Sequence, residues 1–332
     1  MKTLVTGAMG FLGQRVVCAL LRGGITDLRL VSRTPNPRFL DEIKREFPNA
    51  AIECCWGDLT EPGFANQVAA GVELVYHLAA SMRGNGPEII YNTAVSTDCL
   101  LTALRRQSIR RFVLVSSFSV YGPGQMHGRQ PITESAPIEP HPERRDPYTY
   151  AKLKQEQLLQ SSGLPYVIVR PGMVYGEGGS PLSTRVGLRF GPLFLHLGGR
   201  AWLPMTYVEN CAEAIALAGL KECSAGEIIN VVDDEIMRAN AYRRSYSRRV
   251  KKLRVVPVPY PLLLLLGWAM VKYHRVSRGQ LPAALSPYKV RALWKRCQFD
   301  NSKAKTLLGW RPKVGLEEAL QRTFQYHQRY SA

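Results

Sequence analysis

Short apolar runs alternate with segments of helical spacing through the first half of the chain, the pattern left by a parallel sheet with crossover helices. The strand-like runs are Thr3 to Thr6, Leu28 to Ser32, Ala51 to Cys55, Leu74 to His77, Phe112 to Ser116 and Tyr166 to Arg170. Between them, Phe11 to Arg22, Arg38 to Phe47, Pro87 to Gln107 and Tyr148 to Ser161 repeat apolar side chains at helical spacing, and Pro62 to Val68 does so more weakly. Beyond about Gly172 the alternation fades. Val208 to Leu220, Ile228 to Val232, Pro261 to Val271 and Leu316 to Tyr326 predict a smaller lobe interleaved with the sheet. Residues 1–172 are expected to form the sheet domain, and 173–332 mainly the lobe.

Composition narrows the classes. With 332 residues, 45% of them hydrophobic, the chain can bury a sizeable core. Seven cysteines show no CxxC pair and no spacing with histidine that suits zinc, so they read as reduced thiols and no metal is expected. Met1-Lys2-Thr3 runs directly into an apolar strand, which leaves no room for a signal peptide and predicts a cytoplasmic protein. The formal net charge of +18 asks for an anionic partner. Arg238 to Arg254 holds eight basic residues and Lys289 to Lys313 eight more, so the excess is a patch in the C-terminal third. No nucleic-acid motif accompanies it, which argues against nucleic acid.

Pro261 to Val271 is the most apolar stretch. Its length is too short for a bilayer core, which needs about 20 helical residues, so it is either a buried helix or an interfacial one. The basic run ending at Arg254, together with Lys272, His274, Arg275 and Arg278, would favour peripheral contact with the inner face of an anionic membrane. A homodimer is the other assembly left open.

Thr6-Gly7-Ala8-Met9-Gly10-Phe11-Leu12-Gly13 follows the first strand and opens the first helix. Gly7 can make the tight turn, Gly10 lets the backbone approach a pyrophosphate, and Gly13 lets helix and strand pack closely. Amides of the helix start, through Phe11 and Leu12, would face the phosphates. The expected fold is therefore an α/β, Rossmann-type doubly wound parallel sheet with a smaller C-terminal substrate-binding lobe. Tyr148 and Lys152 stand four apart in a helical segment, so they share a face, where an ammonium can stabilise a tyrosinate. A phenol with an ordinary pKa near ~10 needs such help to act at neutral pH. Ser117 follows the fifth strand, where its hydroxyl could bind a substrate oxygen; Ser116 and Ser119 are its rivals, and Tyr150 is the rival phenol, without a lysine four residues on.

The GxxGxxG spacing resembles the extended short-chain dehydrogenase/reductases, the group containing NAD-dependent epimerases and dehydratases. The resemblance recurs in register over nearly the whole chain. Gly57-Asp58-Leu59 matches the place where that family sets an acidic residue against the adenine amino group, and His77-Leu78-Ala79-Ala80 matches the strand end that lines the cofactor. Asn92 begins the family's Asn-x-x-x-x-Thr helix, which implies a supporting role. Val115 to Gly122 is close to SSxxVYG, and Arg170-Pro171-Gly172-Met173-Val174-Tyr175-Gly176 resembles the RPxxVYG element beside the nicotinamide. Asn301 to Lys305, with Leu308 to Pro312, resembles the C-terminal signature. The resemblance implies cofactor contacts from Gly7, Gly10, Phe11, Leu12, Gly13, Asp58, Leu59, Leu78, Ala79, Ala80, Tyr148, Lys152 and Pro171, and catalysis by Ser117, Tyr148 and Lys152.

The second strand ends Leu30-Val31-Ser32-Arg33-Thr34, without the carboxylate that binds the ribose hydroxyls of NAD. Ser32 and Arg33 would instead suit a 2'-phosphate, so NADP is favoured over NAD. Dehydratases of the family carry an acidic pair beside the catalytic Ser or Thr, where this chain has Phe118 and Ser119, so elimination is not expected. What remains is hydride transfer at a secondary alcohol or ketone, with features similar to the 3β-hydroxysteroid dehydrogenase-like branch and its lipophilic substrates. A nucleotide-sugar 4-epimerase or reductase is the alternative. A non-catalytic dinucleotide sensor is a third reading, disfavoured because it would have no use for Ser117, Tyr148 and Lys152.

Overall fold

The computed structural model describes residues 1–82, 84–126, 130–277 and 285–330. Arg278, one of the flanking cations, lies outside the described residues. Seven strands form one parallel sheet: β1 (Thr3–Thr6), β2 (Asp27–Ser32), β3 (Ala51–Trp56), β4 (Leu74–His77), β5 (Arg111–Val115), β7 (Tyr166–Pro171) and β12 (Ile228–Val231). Their order is β12-β7-β5-β4-β1-β2-β3. Direction of growth reverses between β1 and β4, the switch point at which such sheets open a crevice beyond the strand ends. Smaller pairings join β6 (Pro131–Ile132) to β14 (Gln298–Phe299) and β8 (Met173–Tyr175) to β11 (Met205–Tyr207). A three-stranded sheet holds β9 (Gly187–Phe190), β10 (Leu193–His196) and β13 (Arg254–Pro257).

Both faces of the large sheet are covered, which is why every residue of β1, β4 and β5 is buried and their apolar residues do not alternate with exposed ones. On one face α1 (Phe11–Arg22), α2 (Pro37–Glu46), α7 (Val208–Leu220) and α11 (Ser302–Leu308) close over Val5, Leu28, Leu30 and Val169, with Trp310 sealed beneath them. On the other, α3 (Pro62–Ala69), α5 (Ser96–Leu104) and α6 (Pro147–Gln160) cover Leu4, Val75, Phe112 and Ile168. The chain doubles back to finish this sheet. β12 pairs along β7, and the hydroxyl of Tyr76 on β4 donates to the carbonyl of Ala216 on α7 at 2.8 Å.

The helix expected over Pro87 to Gln107 is not uniform. α4 (Gly86–Ile90) and α5 are joined by a wider turn over Tyr91–Val95, and the helix ends at Leu104. Hydroxyls hold the displaced carbonyls: Ser96 donates to Asn92 at 2.8 Å and Thr97 to Thr93 at 2.7 Å. Such single wide turns relieve an inserted residue and recur at functional sites.

The lobe is built from α8 (Ala239–Arg249), α9 (Tyr260–Val276), α10 (Pro287–Trp294) and α12 (Leu316–Tyr330) around the small sheet. The apolar Pro261 to Val271 run falls in α9, and the structure overturns the buried-helix option for it. Only Leu263 and Gly267 are buried there, against Leu197, Val290 and Trp294, because α10 and the small sheet cover a single side. Gly267 permits that contact, since a Cβ at this position would stand 2.9 Å from Pro287 N. Leu265 remains 65% exposed and Trp268 63%. Among the described residues no helix is long and apolar enough to cross a membrane.

Candidate active site

The turn after β1 is shaped by glycine. Gly7 adopts φ +68°, and a Cβ there would lie 3.0 Å from Ala79 N. A Cβ on Gly13 would lie 2.1 Å from the Gly7 carbonyl oxygen, so these two glycines set how closely α1 approaches the sheet. Gly10 caps α1 without any side-chain hydrogen bond, leaving the first-turn amides for a ligand. In front of them lies a cleft of about 460 Å³.

Of the residues expected to bind cofactor, Gly7, Gly10, Ser32, Arg33, Asp58, Leu59, Leu78, Ala79 and Ala80 line this cleft together, and Asn92 joins them from the wide turn. Arg33 is exposed and Ser32 half-buried. Phe11 and Leu12 point elsewhere: both pack against the lobe core, and Phe11 sits over Gly179. Any contact they offer a dinucleotide is therefore through backbone amides. Pro171 ends β7, buried and paired with Val231. Sequence reading did not single out Pro35, Asn36, Ser81 or Ser96, which also line the cleft. Asn36 could have been found by its N-cap signature, for it accepts from Phe39 N at 3.2 Å.

Tyr148 enters on the first turn of α6. Asp146 accepts from Thr149 N at 2.8 Å as the N-cap and Pro147 occupies the first helical position, so the Asp-Pro pair sets where the tyrosine emerges. Ser117 caps the short turn Phe118–Val120, accepting from Ser119 N at 3.1 Å. Burial pushes the Tyr148 phenol up to about 12, a hydrogen bond with Ser117 opposes this, and Asp146 adds to it. The rivals lie otherwise. Ser116 donates to Glu156, the Ser119 hydroxyl is buried without a partner among the described residues, and Tyr150 is exposed.

Lys152 is buried, one turn from Tyr148, with its ammonium 5.9 Å from the phenol ring centre. It donates to the Val115 carbonyl at 2.8 Å and to Gln155 Oε1 at 2.9 Å. Gln155 is itself clamped: its Nε2 donates to Thr97 Oγ1 at 2.6 Å and reaches the Ala79 carbonyl at 3.3 Å. Thr97 and Thr6 hold His77 between them at 2.9 and 2.8 Å, and burial draws the imidazole down to about 3, so it stays neutral. A continuous polar chain thus ties the lysine to the strand end that lines the cleft. It was not visible in sequence, because its members are scattered from Thr6 to Gln155 with no periodic signal.

Beneath this lies a buried ion pair. Glu156 accepts from Arg170 Nε at 2.9 Å and from its terminal nitrogen at 2.6 Å, and the guanidinium stacks 4.8 Å from the Tyr121 ring centre. Arg145, also buried, donates to the carbonyls of Ser119 and Tyr121 at 2.6 and 2.8 Å, pinning the Ser117 turn beside α6.

Burial draws the Lys152 amine down to about 7 from 10.5, with Glu156 opposing. An amine whose folded pKa lies below its unfolded one costs stability wherever the unfolded chain is protonated. That cost is full below about 7 and fades as pH rises to 10.5. The stability of the parent relative to Lys152→Met is therefore expected to rise across this range, by at most about 5 kcal/mol at ~1.4 kcal/mol per pH unit. Denaturant titrations of both proteins, free of cofactor, at the two ends of the range measure it. A difference that stays flat would show that the amine is not depressed.

Comparison with known proteins gives the family and the fold. Residues 3–231 match the model of the NAD dependent epimerase/dehydratase family. The 3beta-hydroxysteroid-dehydrogenase/decarboxylase isoform 1 of Arabidopsis thaliana is 27% identical over 96% of this chain and 78% of its own length. An uncharacterized UDP-glucose epimerase of Bacillus subtilis is 31% identical over 70% of this chain and 76% of its own. Among solved structures, UDP-glucuronic acid 4-epimerase from Bacillus cereus in complex with NAD superposes with a TM-score of 0.73 at 22% identity, each chain covered completely (100%), which shows a shared fold. Matched over more than half its length by the family model, and folded as the family folds, the chain belongs to the NAD dependent epimerase/dehydratase family.

Proposed function

We propose that the protein is an NADP-preferring oxidoreductase that moves a hydride between the cofactor and a secondary alcohol or ketone of a lipophilic, sterol-like substrate. The observation that carries this reading is the bonded path from Lys152, one turn from Tyr148, through Gln155 to the Ala79 carbonyl in the wall of the glycine-lined cleft. The residues present suit a dinucleotide: no side chain caps the start of α1, so its first-turn amides are left for phosphate oxygens beside the cleft. Amides of Phe11, Leu12 and Gly13 would take the pyrophosphate, with Gly10 letting it approach, Asp58 and Leu59 the adenine end, and Leu78, Ala79, Ala80 and Pro171 the nicotinamide side. When bound, the cofactor supplies or accepts the hydride. Ser117 holds the substrate oxygen, Tyr148 gives or takes its proton, and Lys152 steadies both the phenol and the nicotinamide ribose, with Asn92 in support. Elimination is not expected, since Phe118, buried in an apolar cluster with Tyr121 and Ile132, and Ser119 stand where dehydratases carry an acidic pair.

Arg33 supports NADP over NAD, standing exposed in the cleft where a 2'-phosphate would lie. A lipophilic substrate would come from a membrane, and α9 is the face that would meet one. α10 links that helix to the catalytic loops, with Lys295 donating to the Pro123 carbonyl at 3.0 Å. A 4-epimerase acting on a nucleotide sugar is the second reading, supported by the Bacillus subtilis relative and by a basic lobe suited to a diphosphate.

Cofactor exchange separates the two. Purified protein, denatured and analysed by mass spectrometry, is expected to release little bound dinucleotide and, when native, to oxidise NADPH with secondary ketones. Arg33→Asp should shift relative affinity from NADP toward NAD tenfold or more, since a charge-assisted hydrogen bond is worth about 1.5–3 kcal/mol. Stoichiometric retained NAD, with interconversion of UDP-sugars and no net cofactor change, would establish the epimerase instead.

A further inference from the structure

We propose that α9 and the adjoining face of the small sheet dock the protein on the surface of an anionic phospholipid bilayer. Leu262, Leu265, Leu266, Tyr273 and Val276 lie three, four or seven residues apart along α9, so they form one stripe, and all are exposed, Val276 by 72%. This stripe lies opposite Leu263 and Gly267, which are the only residues of α9 that are buried. A helix that is apolar on its packed side and again on its outer side is incomplete in water.

The surface continues onto strands. Leu195 of β10 packs against the cluster that Leu197, Leu263, Val290 and Trp294 form, so its face of the small sheet is the one on the side of α9. Register places Leu188 of β9 and Val256 of β13 beside Leu195, and Phe190 and Arg254 beside Leu193 two residues on. Cross-strand partners and every second residue share a face. Leu188, Phe190, Leu193 and Val256 are therefore on the α9 side, and all are exposed, Phe190 by 73%. Helix and sheet thus present one apolar surface, edged by exposed Lys272, Arg275 and Arg254.

Charge selects the occupant. From Ile236 to Phe299 the chain has 15 Lys or Arg and no Asp or Glu. A second copy meeting this surface about a twofold axis would set that acid-free segment against itself. A bilayer carrying acidic headgroups offers apolar depth and opposite charge together, and a helix lying in the interface plane with cations at its margin satisfies both. α9, with 17 residues, is long enough to lie on a bilayer and too short to cross one with its ends in water. Docking is independent of which alcohol the cleft turns over, so a failed vesicle assay would leave the hydride-transfer reading standing.

The test is co-sedimentation of the full chain with vesicles of phosphatidylcholine, pure or mixed with phosphatidylglycerol, across a salt series. The bound fraction is expected to rise with phosphatidylglycerol and fall with salt. Leu265→Ser/Trp268→Ser and Lys272→Glu/Arg275→Glu should each weaken binding at least tenfold without lowering the melting temperature, since all four side chains face solvent. Parent protein left in the supernatant at low salt with phosphatidylglycerol-rich vesicles would overturn the proposal, as would undiminished binding by either variant. So would a dimer, seen by light scattering, that Leu265→Ser/Trp268→Ser converts to monomer, for then a second copy covers the helix.

Discussion

Tyr148→Phe is expected to leave a folded protein that binds dinucleotide within a few fold of the parent and turns over about 10²–10⁴ times more slowly. The ring that fills the first turn of α6 is retained, and only the proton-bearing oxygen is lost. With burial holding the phenol near 12, Tyr148 is protonated throughout the neutral range in the absence of cofactor. It therefore stands ready as a donor to a carbonyl oxygen. The reverse direction asks it to ionise, and there the ammonium of Lys152 and a positive nicotinamide ring have to lower it. Turnover measured in both directions should show the loss. If the Phe variant kept near-parental kcat on a substrate that the parent processes, the proton would have to come from elsewhere.

Glu156→Ala should cost about 3–5 kcal/mol of stability, the penalty of stranding one member of a buried ion pair. Glu156 and Arg170 are both nearly inaccessible and doubly bonded, and Ser116 donates to the same carboxylate. Without Glu156 the guanidinium would lose both carboxylate bonds and be left beside the Tyr121 ring inside a low-dielectric interior. Glu156→Leu with Arg170→Met removes both charges, and most of the loss should then be recovered. Guanidinium titrations of the parent, single and double variants measure this. A single variant within about 0.5 kcal/mol of the parent, as is usual for surface changes, would mean that the stranded guanidinium is not penalised.

Much of the sheet was legible because its strands are buried on both faces. Thr3 to Thr6 and Leu74 to His77 are strands over the residues their apolar runs predict, and the glycine turn stands between β1 and α1 as its spacing requires. Tyr148 and Lys152 share a helix face for the same reason, a fixed geometric period. Interactions without a period were hidden. Nothing in spacing announces that Gln155 holds Lys152, that Glu156 pairs with Arg170, or that Thr97 reaches across to His77. The wide turn at Tyr91–Val95 was also invisible, since its cause is hydroxyl bonding to carbonyls and not apolar placement. α9 shows a different limit: a helix apolar all round does not say how many of its sides the fold will cover, and here one is covered.

The outermost strand of the large sheet is made late. β12 begins at Ile228, yet it pairs with β7, which ends at Pro171, and the helix between them supplies the carbonyl that receives the Tyr76 hydroxyl. During synthesis at about 5–20 residues per second, β7 therefore waits several seconds as an open edge, and the face later covered by α7 waits with it. Unpaired edges and bare apolar faces are where nascent chains associate wrongly. For this protein the vulnerable interval lies between the emergence of residues 171 and 231, and the binding cleft, whose strands and glycines all precede that interval, can be assembled before the sheet is closed.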